Sequence, residues 1–325
     1  MKKPYLYAET AFHHQGDFGY LKKLVKEAIR LGLDGIKFQV LINTNELLSS
    51  KHSNYETLSQ YIFSVDQWNE IFDLTVENGL DIIFMPLDTE AFNLPISKIS
   101  YFDIHPVSYY DWSIINKIKE YETPIILGVG GRTETEIKNQ ITLLGEQVKV
   151  LMVGFQSFPT NIKDVKLAKI KLLQQHYPHI NIGYADHSGY NDSMSVTSND
   201  YAFLLGATVF EKHLTLDEGK ERVDFEAAIG AEKMTQIKNN LDSLYSLLKE
   251  KNLWELQESE KKYTARQRVA VASRGLLKGD KINQEDIAYK MIDKTGGFNP
   301  TEKIVGKTVN NNVSIDDIIL KSCTN

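Results

Sequence analysis

Two periodicities alternate along the first 250 positions. Short apolar runs, rich in β-branched and aromatic residues, fall at Tyr5–Glu9, Gly35–Val40, Asp81–Leu87, Tyr101–His105, Pro124–Val129, Val148–Phe155, Ile180–Ala185 and Thr208–Lys212. Such runs predict strands buried on both faces. Between them lie stretches in which apolar residues recur at helical spacing with charges on the outer side, as in Tyr20–Leu31, Gln67–Asn78, Thr135–Leu144 and Val165–His176. Gly32 and Gly79 follow two of these and are expected to stop them.

Eight strand signals alternating with helices predict a (β/α)₈ TIM barrel. An open doubly wound sheet is the competitor, but no G-x-G-x-x-G follows the first strand, which runs into Thr10-Ala11-Phe12-His13-His14-Gln15-Gly16, so a dinucleotide reading has no support. A last barrel helix is expected at about 233–251, and the polar tract Glu255–Lys262 reads as a linker or an exposed helix. From about Arg266 the pattern changes to short β-like runs: Val269–Ala272, Ile287–Lys290, Ile304–Val309 and Ile315–Leu320. The expected organisation is a barrel over 1–252, a linker over 253–265 and a small β-rich domain over 266–325.

Composition narrows this reading in a few places. At 325 residues with 42% hydrophobic content, the chain can bury a substantial core. A net charge of −6 offers no basic footprint for nucleic acid, though it does not exclude a local pocket for an anion. The single cysteine, Cys323, leaves no internal disulfide framework, which fits a reducing compartment. Neither a signal-peptide pattern nor a run of apolar residues long enough for a membrane span is present, so a cytoplasmic location is expected.

His187 and His213 carry the most chemical information. Each closes a predicted strand, in Asp186-His187-Ser188 and Glu211-Lys212-His213. Parallel strands joined by a helix would bring both imidazoles to the C-terminal edge of one barrel, where such folds build their sites. Two imidazoles there point to a divalent metal that polarises an oxygen or activates water.

Five motifs in order resemble the N-acetylneuraminate (sialic acid) synthase family, which includes other nonulosonate synthases and the spore-coat polysaccharide proteins. They are Ala8-Glu9 with His14-x-Gly16, Gly35-Ile36-Lys37-Phe38-Gln39, Phe158-Pro159-Thr160, Asp186-His187-Ser188 and Glu211-Lys212-His213-Leu214-Thr215. Val269–Asp280 is similar to the family's SAF (antifreeze-like) domain. The resemblance implies condensation of phosphoenolpyruvate with an open-chain amino-sugar aldehyde, releasing phosphate and a nine-carbon 2-keto acid for cell-surface polysaccharide. It implies a metal on the aldehyde oxygen, manganese foremost, with magnesium, cobalt or zinc as alternatives, and a domain-swapped homodimer. By position, His187 and His213 correspond to metal ligands and Glu9 to a group that assists proton transfer. Lys37 and Gln156 correspond to contacts with phosphoenolpyruvate, and Gln39, Phe158 and Asp224 to the sugar site.

The fourth and fifth strands depart from that family. Its Lys-Ile-Gly-Ser-x-Glu pattern becomes Asp103-Ile104-His105-Pro106-Val107-Ser108, and its Leu-Ser-Thr-Gly-Met becomes Leu127-Gly128-Val129-Gly130-Gly131. Replacing lysine by aspartate changes the local charge by two units beside an anionic substrate, so Arg132 and the Gly130-Gly131 amides are expected to compensate. Alternatively, Asp103 and His105 join the metal. In the C-terminal domain methionine (Met291) replaces the family's partner-reaching arginine, and Lys294 is its possible substitute. An aldolase or epimerase that uses no phosphoenolpyruvate, and a non-catalytic sugar-binding paralogue, are the competing functions.

Overall fold

A computed structural model of the chain describes residues 2–154, 157–249, 252–264 and 266–325. It divides into two compact units, 1–249 and 250–325. In the first, eight parallel strands close into a barrel in chain order: β1 Tyr5–Glu9, β2 Gly35–Val40, β3 Asp81–Pro86, β4 Tyr101–Ile104, β5 Ile125–Gly128, β6 Val148–Val153, β7 Asn181–Asp186 and β8 Val209–His213. The TIM-barrel expectation holds.

Helices α1 (Phe18–Arg30), α2 (Thr44–Leu47), α3 (Tyr55–Ser59), α4 (Val65–Glu77), α5 (Trp112–Ile118), α6 (Glu134–Leu144), α7 (Ala168–His176), α8 (Met194–Leu204) and α9 (Ala231–Leu248) accompany the strands. Local chemistry sets several of their ends. Ser64 and Thr133 form capping boxes with Gln67 and Glu136 at the starts of α4 and α6. Gly32 (φ 61) and Gly79 (φ 77) take the left-handed conformation just past α1 and α4, which glycine adopts without steric penalty. Between β3 and β4 the expected helix is absent. Two 3₁₀ turns, Glu90–Asn93 and Ile96–Lys98, replace it, and Pro95 between them has no N–H with which to continue a helix.

Strand alternation sorts the side chains into two layers. Ile36, Phe38, Phe84, Phe102 and Leu127 face outward and are buried in the core that also takes in Leu24, Phe72 and Ile115 of the helices. Tyr7, Ile83, Ile126, Val150, Met152 and Val209 face inward and plug the barrel. That apolar floor leaves the inward positions nearer the C-terminal ends of the strands to polar groups.

In the second unit a helix, α10 (Glu258–Thr264), precedes an antiparallel pair, β9 (Val269–Ala272) and β10 (Ile287–Lys290). Ala270, Leu276, Ile282, Phe298, Val309 and Ile319 form its own small core. The runs 304–309 and 315–320, expected as strands, make only isolated bridges such as Lys281–Thr308 and Val271–Ile318. Gly306 (φ 91) and Asp316 (φ 63) turn the backbone out of the extended region inside each run. Lys294 is committed locally, donating to Asp317 Oδ1 at 2.6 Å.

Candidate metal centre

Barrel closure pairs β1 with β8 and sets Glu9 level with His213. His187 is the first residue past β7 and continues its inward alternation after Ala185. One ligand atom from each of Glu9, His187 and His213 lies within 4.8 Å of the other two, and all three residues are buried. The imidazole ring centroids are 5.0 Å apart. Phe158 covers both rings edge-on, at 5.7 Å from His187 and 5.4 Å from His213. His187 Nδ1 lies 3.1 Å from the Ala185 carbonyl, which orients the ring and turns Nε2 away from the backbone. Burial first, and His213 second, hold the His187 imidazole well below its usual pKa, so it is a neutral ligand.

Glu9 is held at one oxygen and open at the other. Gln39 Nε2 donates to Oε1 at 2.8 Å and Lys37 Nζ stands 3.4 Å from it. Oε2 lies 3.1 Å from His213 Nε2 yet makes no hydrogen bond among the described residues. Burial opposes ionisation of Glu9, but Lys37 and His213 outweigh it and keep its carboxyl well below the usual range. An ionised, buried carboxylate beside two imidazoles is a donor set suited to a divalent cation.

Beneath this triad, Lys37 is enclosed by acids. Its Nζ is 3.1 Å from Glu211 Oε2, 3.4 Å from Asp103 Oδ2 and 3.4 Å from Glu9 Oε1, and the side chain is 1% exposed. Desolvation disfavours its charge, yet Asp103, Glu211 and Glu9 together raise its pKa above the ordinary lysine value. Burial, reinforced by Glu9, holds the Glu211 carboxyl well above the usual range, and the Tyr7 hydroxyl donates to it at 2.5 Å. Burial also pushes Asp103 to about 6, against the pull of Lys37.

That last shift has a testable sign. The folded value of about 6 exceeds the ordinary 3.8, so the folded state takes up a proton that the unfolded chain does not. Ionised Asp103 therefore weakens the fold above about pH 6, and the penalty is relieved as pH falls through that value. Asp103→Asn removes the dependence. Urea titrations of parent and variant should diverge in slope by up to about 1.4 kcal/mol per pH unit between about pH 6 and 4. Parallel curves would show that Asp103 keeps its ordinary ionisation.

The remaining expected site residues fall in different places. Asp224 lies past β8 in a left-handed turn (φ 63), and burial raises its pKa, with His213 opposing. His105 caps a 3₁₀ turn, its Nδ1 accepting from Val107 N at 3.3 Å, and lines a small cavity with Lys37, Asp103 and His187. Burial lowers its pKa to about 3. Of the two residues given as alternative metal ligands, Asp103 stands 3.4 Å from Lys37 Nζ, and the His and carboxylate group that could hold an ion among the described residues is Glu9, His187 and His213. Ser108 is buried, and its hydroxyl has no hydrogen bond among the described residues. Arg132, expected to meet the anion, lies at the β4–α5 connection. Its guanidinium rests on the Tyr109 and Tyr110 rings, at 4.4 and 5.1 Å, and donates to the Pro106 carbonyl at 2.5 Å. Those contacts hold it against the β4–α5 connection. Gln156 lies outside the described residues. Sequence reasoning assigned no role to Glu211 or Tyr7. Their one legible signal was that Glu211 stands two residues before His213, on the same strand face.

The match to known proteins covers most of the chain. Residues 24–252 match the NeuB family. The chain belongs to that family. An N-acetylneuraminate-9-phosphate synthase of Drosophila melanogaster is 25% identical over 361 residues, covering 97% of this chain and 94% of that one. A pseudaminic acid synthase of Campylobacter jejuni is 23% identical, covering 99% and 96%. A spore coat polysaccharide biosynthesis protein E of Chromobacterium violaceum has the same fold, with a TM-score of 0.80, 20% identity, and 99% and 100% coverage. The NeuB-family site fits a divalent first-row metal: two nitrogens and one carboxylate oxygen leave further coordination positions for substrate. No helix among the described residues is long and apolar enough to cross a membrane.

Proposed function

We propose that this protein condenses phosphoenolpyruvate with an open-chain amino-sugar aldehyde, forming a carbon–carbon bond and releasing phosphate and a nonulosonic 2-keto acid. The observation that carries this reading is the buried Glu9–His187–His213 triad at the strand ends of a NeuB-family barrel. These three residues would hold manganese or a similar divalent ion, which when bound supplies a Lewis acid for the aldehyde oxygen.

The chain's own groups prepare the rest. Lys37, fixed by three acids, presents an oriented cation for the donor's carboxylate. Gln39 spends its amide N–H on Glu9 and keeps its carbonyl oxygen for a sugar hydroxyl. Asp224 offers a second acceptor beside His213. With Oε1 held by Gln39 and Lys37, Glu9 has Oε2 left to offer the metal. Phe158 walls the imidazoles with apolar surface and limits water around them. The same proposal takes residues 266–325 as a SAF-like domain and the working unit as a cytoplasmic homodimer.

A second reading keeps the metal without phosphoenolpyruvate. It is favoured by Asp103, whose carboxylate stands 3.4 Å from Lys37 and uses part of the positive charge a phosphorylated donor needs. An assay of phosphate release from phosphoenolpyruvate, with manganese and a panel of N-acylated amino sugars, separates the two. Manganese-dependent release with at least one sugar is expected, with none when sugar is omitted. Metal binding with no release for any sugar would leave the second reading.

A further inference from the structure

We propose that the buried Asp186–Lys212 ion pair, on the outer face of the barrel behind the triad, is the device that positions His187 and His213 for one metal ion. This inference rests on the metal reading of that triad. Asp186 and Lys212 are register partners across β7 and β8, each immediately preceding one of the histidines. Alternation sends the histidines inward and this pair outward. The outward residues in register with Lys212 on the next strands are apolar, Ala8 on β1, Ile36 on β2 and Ile82 on β3, as are Phe102 and Leu127 on β4 and β5. The charged pair therefore falls on the two strands that carry the imidazoles.

Both members are fully buried, with Lys212 Nζ 3.1 Å from Asp186 Oδ2. Asp186 Oδ1 accepts the Ser188 N–H at 2.8 Å, and Oδ2 accepts Ser198 Oγ and Asn199 Nδ2 at 3.2 Å each. Lys212 Nζ also donates to the Ser188 carbonyl at 3.1 Å. The network thus clamps the backbone just past His187 to β8 just before His213, and ties both to α8, which carries Ser198 and Asn199. A buried ion pair contributes little net stability over apolar packing, because desolvation offsets the attraction. What it adds is directional: both partners have one arrangement that satisfies every donor, and that arrangement fixes the separation of the two rings. Supports of this kind behind metal ligands tune affinity by orientation.

The test uses the full chain and metal binding alone. Lys212→Met removes the ammonium and leaves Asp186 its four other donors, Ser188 N, Ser198 Oγ, Asn199 Nδ2 and the Tyr184 hydroxyl. Ser198→Ala removes one bond and is the milder variant. Manganese titration should show Kd weakened roughly 10–100-fold in Lys212→Met and several-fold in Ser198→Ala. The visible spectrum of the cobalt-substituted protein should change with it, because that spectrum reports ligand geometry. A merely structural role would lower the melting temperature and move neither readout. If Lys212→Met does not fold, Ser198→Ala decides. Kd within twofold of the parent and an unchanged cobalt spectrum in the folded variants overturn the proposal. A parent that binds neither ion overturns the metal reading and this inference with it.

Discussion

Replacing both His187 and His213 by alanine is expected to abolish tight manganese binding and any metal-dependent turnover. Of the triad within 4.8 Å only Glu9 would remain, and a single protein ligand is too few to hold a divalent ion tightly. The loss should exceed the roughly 10–100-fold effect typical of an outer-shell partner. The fold should survive, since the apolar floor of Tyr7, Ile83, Ile126 and Val150 lies apart from the rings. Titration of free manganese, run beside circular dichroism and thermal melting, checks both halves. Affinity retained within about tenfold would remove the metal reading of this rim. Full turnover in the double variant would point to catalysis without the metal.

Lys37→Met is expected to produce the largest loss of stability. Three carboxyl groups within 3.4 Å share that one ammonium, and its removal leaves buried acid without its cation. Breaking a buried pair from one side destabilises by about 3–5 kcal/mol. The pH dependence follows from the direction of the shifts. The raised pKa of Lys37 means that its stabilisation is fully present below the ordinary value of 10.5, so a urea titration near neutrality sees all of it. Asp103 and Glu211 already have raised pKa values and rise further without the cation, so they accept protons on acidification. The gap between parent and variant should therefore narrow as pH falls from about 7 to about 5. A loss below about 1 kcal/mol, or a gap that widens on acidification, would mean that water or another cation already balances these acids.

The barrel was legible because strands buried on both faces read as unbroken apolar runs. All eight barrel strands lie wholly inside the expected spans or end within one residue of them. After β3 only the general alternation implied a helix, and Pro95, which has no N–H, interrupts it. The two β-like runs in the second unit resemble strands in composition, and one left-handed residue in each breaks them. The histidine pair was legible for a different reason. A polar residue that ends an apolar strand in a parallel barrel has one place to go, the C-terminal rim.

By itself, the order of apolar and polar residues determined the barrel, its strand sequence and the rim on which His187 and His213 stand, because side-chain periodicity and short-range turn chemistry are local properties. Only tertiary closure decided the company they keep. Glu9 and His213 are 204 residues apart and become partners when β8 returns to β1. Lys37 meets acids from β1, β4 and β8, and their shared burial, not their spacing, sets which of them hold protons. Arg132 rests on the Tyr109 and Tyr110 rings, a contact that only packing of the β4–α5 connection creates. Charge balance in a buried site depends on distance and desolvation, and neither exists until the chain has folded.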